Sequence, residues 1–400
     1  MGTVIDYVTS TTEGFDSRPF GEIDALVLSC LAYESPDSRT PSLTDQESRL
    51  SNPWRRIRGW QAAHPFTSLV HVVHAPFEGP TLADVGTWAA NGAFDPVAAH
   101  TGLGDAAASV QLLQAAAASP RYAPIRVGAV SEILSVENGT QFAAETFRLP
   151  DGTLVVAYRG TDDSFVGWRE NFAMTFQYPV PAQREAAEYL RRVAGIWGGR
   201  ILVTGHSKGG NLAVYAAMTA PRSVRLRIGR AYSLDGPGFP QEVVNGDDYQ
   251  GFMNRMDKII PDSSIIGMIF DTPEPCTVVA STQKGLMQHD ALSWQVHNGR
   301  FVRVPEVAPS SQYFNRTLNE WLAGLSLDQR RRTVDALFTI LKAGGSDNLS
   351  AVRGSLPRVI PEMISSFAGL SSDDRRNLLT ATNILARAAW ARNTPRRRRP

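Results

Sequence analysis

The first 120 residues of the chain contain two stretches typical of helices, separated by a long stretch without regular spacing of apolar residues. Apolar residues at helical spacing predict a helix over residues 20–33, and an alanine-rich stretch predicts another near 104–118. Between them, residues 34–100 are rich in Pro, Ser, Thr and His and carry only short apolar runs. This composition predicts an irregular insertion or cap over 34–100.

The middle of the chain has the pattern of a mixed sheet. Residues 125–136, 141–149 and 153–159 predict strands, joined by hairpin turns at Asn138-Gly139 and Asp151-Gly152. Apolar strands then alternate with amphipathic helices. The further strands are predicted at 200–204, 228–234, 258–260 and 276–281, and the helices at 181–194 and 209–220. This order predicts an α/β fold whose mixed, mostly parallel sheet is covered by helices on both faces.

Beyond about residue 305 the strand pattern ends. Amphipathic helices are predicted at 318–325, 330–342, 359–367 and 375–391. Ser326 and Gln329 have the spacing of a capping box, and Gly344-Gly345 predicts a helix end. We therefore expect an α/β domain over 1–304 and a helical C-terminal extension over 305–400.

Composition narrows the classes of partner. The formal net charge is +1, so no overall field favours nucleic acid, and we read the basic run at 396–399 as a solvated tail. Two cysteines do not form a disulfide framework. The first residues lack the pattern of a secretory signal, and no apolar run reaches membrane-spanning length. These features predict a cytoplasmic protein without stable membrane insertion.

The motif Gly205-His206-Ser207-Lys208-Gly209 lies between an apolar strand and an alanine-rich helix. This is the context in which G-x-S-x-G forms a nucleophile elbow. Ser207 must then occupy a strained turn with its hydroxyl exposed, and the flanking glycines let strand and helix approach closely. Ser207 is therefore the candidate nucleophile.

A serine nucleophile requires a base. In proteins whose nucleophile lies in such an elbow, the order along the chain is Ser, acid, His. Only His289 and His297 follow Ser207. His289 lies in a glycine-containing loop after a predicted strand and is favoured, whereas His297 precedes a turn and is expected to be exposed. His206 is expected to pack rather than to act as the base.

Three aspartates are candidates for the acid. Asp235 ends the first strand after the elbow helix, in a tight Asp-Gly-Pro-Gly turn, and we favour it. Asp262 and Asp257 bracket the next strand and stay open as alternatives, in that order. The competing interpretation of Asp235 is a residue that only caps its turn.

An oxyanion hole would combine the backbone N–H of Lys208 with a donor from an earlier loop. Tyr158-Arg-Gly-Thr161 follows a predicted strand, and Thr161 could offer both its N–H and its hydroxyl. An ordinary Asx turn through Asp162 and Asp163 is the alternative interpretation.

These motifs together resemble a bacterial family of lipase-like α/β-hydrolases and, more distantly, the class 3 (fungal-type) lipases. The residues that carry the resemblance are Gln141-Phe-Ala-Ala144, Tyr158-Arg-Gly-Thr-Asp-Asp163, Gly167-Trp-Arg-Glu-Asn-Phe172, Pro181-Ala-Gln183, Gly205-His-Ser-Lys-Gly-Gly-Asn-Leu-Ala213, Asp235-Gly-Pro-Gly-Phe239, Ser264-Ile-Ile-Gly-Met268 and Gln288-His-Asp-Ala-Leu-Ser-Trp294. The resemblance implies an α/β-hydrolase fold and matches Thr161 to the oxyanion residue of class 3 lipases. Asn171 stands where those lipases often carry Asp, and their Asp-x-Val-Pro acid aligns best with Asp257.

The sequence predicts a serine hydrolase of lipase or esterase type that acts on a small ester or lipid substrate. A thioesterase, peptidase, acyltransferase or non-catalytic binding protein on the same fold is the alternative. The apolar run 265–270 predicts an acyl-pocket wall, a lid or a buried strand. No cofactor or metal is predicted, since His71 and His74 lack a neighbouring carboxylate.

Overall fold

The sheet of this protein is built from seven consecutive strands in a computed structural model that describes residues 2–34, 38–50, 77–92, 106–270 and 273–390. The strands are β1 (Arg126–Ser135), β2 (Thr140–Arg148), β3 (Leu154–Tyr158), β4 (Ile201–His206), β5 (Ile228–Leu234), β6 (Met256–Pro261) and β7 (Cys276–Val279). A separate hairpin is formed by β8 (Val296–His297) and β9 (Arg300–Phe301).

The first three strands are antiparallel neighbours, and β3 to β7 run parallel to one another. Gly139 and Gly152 adopt positive φ at +60° and +86°, as the two predicted hairpin turns require. The predicted α/β fold with a mixed, mostly parallel sheet is thereby confirmed. Because parallel strands end at the same edge, the residues after β3, β4, β5 and β6 lie along one side of the sheet.

The helices are named in chain order. They are α1 (Val4–Ser10), α2 (Glu22–Leu31), α3 (Leu43–Leu50), α4 (Leu82–Ala90), α5 (Ala106–Ala118), α6 (Phe165–Ala173), α7 (Pro181–Ile196), α8 (Lys208–Met218), α9 (Arg222–Arg225), α10 (Gln241–Val244), α11 (Asp247–Phe252), α12 (Pro309–Ala323), α13 (Leu327–Lys342), α14 (Leu349–Ala368) and α15 (Ser372–Trp390).

Helices cover both faces of the sheet because its strands are apolar on both sides. Helices α7 and α8 pack on one face, where Val156, Leu190 and Leu212 are fully buried. Helices α1, α2 and α5 belong to the core on the other face, where Leu26 and Val155 are fully buried. Burial of such side chains stabilises the fold by about 1.5–3 kcal/mol each, so these two cores hold the strand ends in fixed positions.

The C-terminal helices pack against elements that follow the parallel strands. Helix α13 contacts α6, with the rings of Phe338 and Phe165 5.9 Å apart. Ser326 caps α13 by accepting from the backbone N–H of Gln329 at 3.2 Å, as the capping-box spacing predicts. The extension therefore contacts the segment that directly follows the Arg-Gly-Thr loop.

Two expectations about irregular segments are wrong in part. The described residues of 34–100 include α3 and α4, two short helices that the apolar pattern did not reveal. Each begins with a hydroxyl residue bonded to an Asp three positions later, Ser42 with Asp45 and Thr81 with Asp84. The run 265–270 is not a strand, since Ile266–Met268 forms a 3₁₀-helix. None of the described helices has the length and hydropathy of a membrane span.

Candidate active site

Ser207 follows β4, the strand that lies between β3 and β5, and precedes helix α8. Its backbone has φ +60° and ψ −131°, a conformation that side chains with a Cβ rarely adopt. A Cβ at Gly205 would lie 2.1 Å from the carbonyl oxygen of Gly209, so only glycine fits where strand and helix approach. The turn therefore has the strained geometry expected of a nucleophile elbow, whereas Ser207 is buried rather than exposed as expected.

His289 lies at the end of a 3₁₀-helix, Gly285–His289, in the loop after β7. Its Nε2 is 2.9 Å from Ser207 Oγ, and its Nδ1 is 2.6 Å from Asp235 Oδ2. A carboxylate can only accept, so Nδ1 carries the proton and Nε2 presents its lone pair to the hydroxyl of Ser207. This arrangement allows Ser207 to pass its proton to His289.

Asp235 is fully buried and follows β5, the strand adjacent to β4. Its second carboxylate oxygen, Oδ1, accepts from the hydroxyl of Ser264 and from the backbone N–H of Gly267 at 3.2 Å. With both oxygens bonded, the carboxylate has one orientation toward His289. Asp235 thus contacts a side chain 54 residues away and does more than cap its own turn.

The alternative residues lie elsewhere. Asp262 accepts from the hydroxyl of Ser263 at 3.0 Å, and Asp257 pairs with Arg230 at 2.7 Å. In the described part of the chain neither is bonded to His289; Asp257 lies near the start of β6, and Asp262 follows its end. His297 is exposed in the β8–β9 hairpin, as expected.

The loop after β3 brings Thr161 to the same edge of the sheet. Thr161 is buried, and its Oγ1 accepts from the side-chain amide of Asn171 on helix α6. Among the described residues, no acceptor is found for the backbone N–H of Thr161 or of Lys208. Asp162 also forms an Asx turn, with its Oδ1 accepting from Ser164 N–H at 2.9 Å, so the turn and the candidate donor coexist.

The side chain of Lys208 is a feature that the sequence interpretation missed. It points into the protein and pairs with Glu170, with both side chains fully buried. The available signal was a cation inside an otherwise small and apolar motif, since a lysine buried without a partner would be costly.

His71 and His74, the weak candidate for a metal pair, lie outside the described residues, as does the basic run 396–399. The other candidate residues all lie within them. Ser207, His289 and Asp235 are connected by hydrogen bonds, and Thr161 and Lys208 follow the strands β3 and β4.

Comparison with known proteins gives one family. A family model described as Mbeg1-like matches residues 116–339, which is more than half of the 400-residue chain. The matched region contains all of the strands β1 to β9 and every candidate residue that the site brings together. A comparison with curated proteins finds no match.

Proposed function

Since this chain belongs to the Mbeg1-like family, a lipase-like family, we propose that it is a serine hydrolase that cleaves a carboxylic ester. The observation that carries the proposal is the hydrogen-bonded series from Ser207 through His289 to Asp235. Nucleophile, base and orienting acid are the three roles that acyl transfer to serine requires.

In the first half of the proposed reaction, Ser207 Oγ attacks the ester carbonyl while His289 Nε2 takes its proton. Asp235 stabilises the imidazolium that forms and keeps its Nδ1 proton in place. His289 then gives the proton from Nε2 to the departing alkoxide, and the acyl group stays on Ser207. In the second half, water attacks the carbonyl of this acyl-enzyme while His289 Nε2 takes its proton. His289 then returns the proton to Ser207 Oγ, and the acyl group leaves as the carboxylic acid.

The negative oxygen of each tetrahedral intermediate would be bound by the backbone N–H groups of Lys208 and Thr161, and by the Thr161 hydroxyl. Both N–H groups lack other acceptors among the described residues, which leaves them available for this role. A single donor of this type typically contributes about 2.7–4 kcal/mol to transition-state stabilisation.

We further propose a small ester or lipid as the substrate and the cytoplasm as the location. Lipase-like family membership supports the first. Cys30 and Cys276 are both free thiols, which fits a reducing compartment.

A fluorophosphonate probe tests the nucleophile directly, because it labels activated serines. We expect the wild type to be labelled and Ser207→Ala to stay unlabelled. Ser223→Ala, an exposed serine on α9, is the matched control and should be labelled like the wild type. A panel of p-nitrophenyl esters of increasing chain length then measures acyl preference. An unlabelled wild type, or full labelling of Ser207→Ala, would refute the proposal.

A further inference from the structure

The ammonium of Lys208 is buried directly behind the proposed nucleophile. Its Nζ donates to the backbone carbonyl of Gln141 at 2.6 Å, to the side-chain oxygen of Gln141, and to Glu170 Oε2 at 3.2 Å. Burial lowers the pKa of Lys208, and the charge and hydrogen bond of Glu170 act in the opposite direction. The predicted oxyanion hole uses only the backbone N–H of Lys208, so this side chain requires a separate explanation.

Glu170 connects the same group to two further elements. Its Oε2 accepts from the backbone N–H of Gln141 at 3.1 Å, and its Oε1 accepts from the backbone N–H of Ala182 at 2.8 Å. The pair therefore joins the beginning of β2, helix α6 and the first turn of α7. Desolvation largely cancels the attraction within a buried ion pair, so stability alone is a weak reason for its presence.

The cation determines which way the amide of Gln141 faces. An ammonium group can only donate, so the side-chain oxygen of Gln141 must face Lys208. The NH₂ group of Gln141 is then directed elsewhere, and it donates to the backbone carbonyl of Gly160 at 3.4 Å. The amide of Gln141 thus has one orientation as long as the charge of Lys208 is present.

The Gly160 carbonyl and the Thr161 N–H belong to the same trans peptide unit, so they point in opposite directions. A hydrogen bond that holds the carbonyl therefore sets the direction of the N–H. Gly167 packs against the same group, since a Cβ there would lie 2.9 Å from Gln141 Oε1 and 3.0 Å from Thr161 Cγ2. This packing leaves the loop little freedom to turn.

We propose that Lys208 is a positioning residue for both donors of the oxyanion hole. Its backbone supplies one N–H, and its side chain, through Gln141, orients the peptide that supplies the other. This inference rests on the proposed serine hydrolase function and extends it to residues that do not contact the substrate.

The test removes the cation without leaving its partner charged and unpaired. Lys208→Met/Glu170→Gln keeps the size of both side chains but no longer dictates the orientation of Gln141. Gln141→Met leaves the ion pair and removes the contact to Gly160. The control variant is Lys258→Met/Glu274→Gln, because it makes the same two substitutions in another buried ion pair, the one between Lys258 and Glu274 at 3.8 Å.

Two readouts are measured on the full chain: kcat and KM for p-nitrophenyl butyrate, and hydrogen exchange of the peptide that spans 159–164. In the double variant and in Gln141→Met we expect kcat to fall about 10²-fold with KM nearly unchanged, as for the loss of one oxyanion donor. Exchange over 159–164 should become faster in both. The control variant should match the wild type in both readouts.

Wild-type kcat in Lys208→Met/Glu170→Gln would overturn the role of Lys208. An equal loss of kcat in the control variant would also overturn it, since it would indicate general destabilisation. Hydrolysis that persists in Ser207→Ala would instead overturn the serine hydrolase proposal itself. Loss of hydrolysis in Ser207→Ala together with full turnover in the double variant would refute only the inference about Lys208.

Discussion

His206 donates a hydrogen bond from Nε2 to the backbone carbonyl of His289 at 2.8 Å, and the two imidazole rings lie 4.6 Å apart. A carbonyl can only accept, so the proton of neutral His206 is on Nε2. Its Nδ1 lies 3.4 Å from the hydroxyl of Tyr33. His206 therefore holds the backbone of the loop that carries the proposed base, which is more than the packing role predicted from the sequence.

This contact has a consequence for acid stability. Burial, and then the nearby His289, lower the pKa of His206 to about 3 from an ordinary value of 6.5. Between these values the unfolded chain binds more protons than the folded one, so stability is lost as the pH falls from 6.5 toward 3. We expect the unfolding free energy of the wild type to decrease relative to that of His206→Gln between pH 6.5 and 4.

Urea denaturation at several pH values measures this difference, since Gln can still donate to the His289 carbonyl but does not titrate. His297→Gln, at an exposed position, is the control and should follow the wild type. The prediction would be contradicted if the unfolding free energies of the wild type and of His206→Gln changed equally with pH.

The acid can be identified by three amide substitutions. Asp235→Asn removes the acceptor that keeps the proton on Nδ1 of His289, and we expect kcat to fall about 10⁴-fold, the loss typical of a triad acid. Asp262→Asn and Asp257→Asn should retain activity close to that of the wild type, since neither contacts His289. The rates of ester hydrolysis by the three variants identify the acid. A large loss of kcat in Asp262→Asn, with Asp235→Asn still active, would reverse the assignment.

The hydroxyl of Thr161 has its proton available because the Asn171 amide donates to its oxygen. An aspartate at 171 would accept that proton and withdraw it from the oxyanion. We expect Asn171→Asp and Thr161→Val each to lower kcat by roughly 10- to 100-fold, toward the loss seen for one donor. In the Thr161→Val background, Asn171→Asp should lower kcat little further. A loss of kcat in the double variant equal to the product of the two single losses would contradict this coupling.

Glu145 on β2 should make the stability of the fold depend on pH in the direction opposite to that of His206. Burial raises its pKa to about 8 from 4.5, against the attraction of Arg159 and with the repulsion of Glu34. Between pH 4.5 and 8 the carboxyl of Glu145 keeps its proton in the folded chain but has lost it in the unfolded chain. Its contribution to the free energy of unfolding is therefore complete below pH 4.5 and is lost as the pH rises through 8. We expect Glu145→Gln to be more thermally stable than the wild type at pH 9 and nearly equal at pH 4.5, as measured by calorimetry.

The position of Ser207 and the type of fold could be predicted because both depend on local pattern. Strand, glycine turn and helix are adjacent in the chain, and alternating elements imply a parallel sheet. The tight turn at Asp235 favoured it over Asp262, but the sequence could not show which carboxylate meets His289, because both aspartates follow strands. The contact between Asp235 and His289 depends on how the loop after β7 folds back over the sheet.

The ion pair of Lys208 and Glu170 was not predictable in the same way. The two residues are 38 positions apart and meet only because α6 folds back over the beginning of β2. The 3₁₀-helix at 266–268 was missed for a related reason. Its Gly267 bonds to Asp235, a contact between distant residues that no periodicity of apolar positions encodes.

The backbone conformation of Ser207 lowers the stability of the folded chain. At φ +60° and ψ −131° a residue with a Cβ is strained by about 1–3 kcal/mol, whereas glycine adopts positive φ readily. Ser207→Gly should therefore unfold at a higher temperature than Ser207→Ala, although both lack the hydroxyl. The chain would be more stable with glycine at 207, and the packing of the two cores holds Ser207, the proposed nucleophile, in this conformation against that preference.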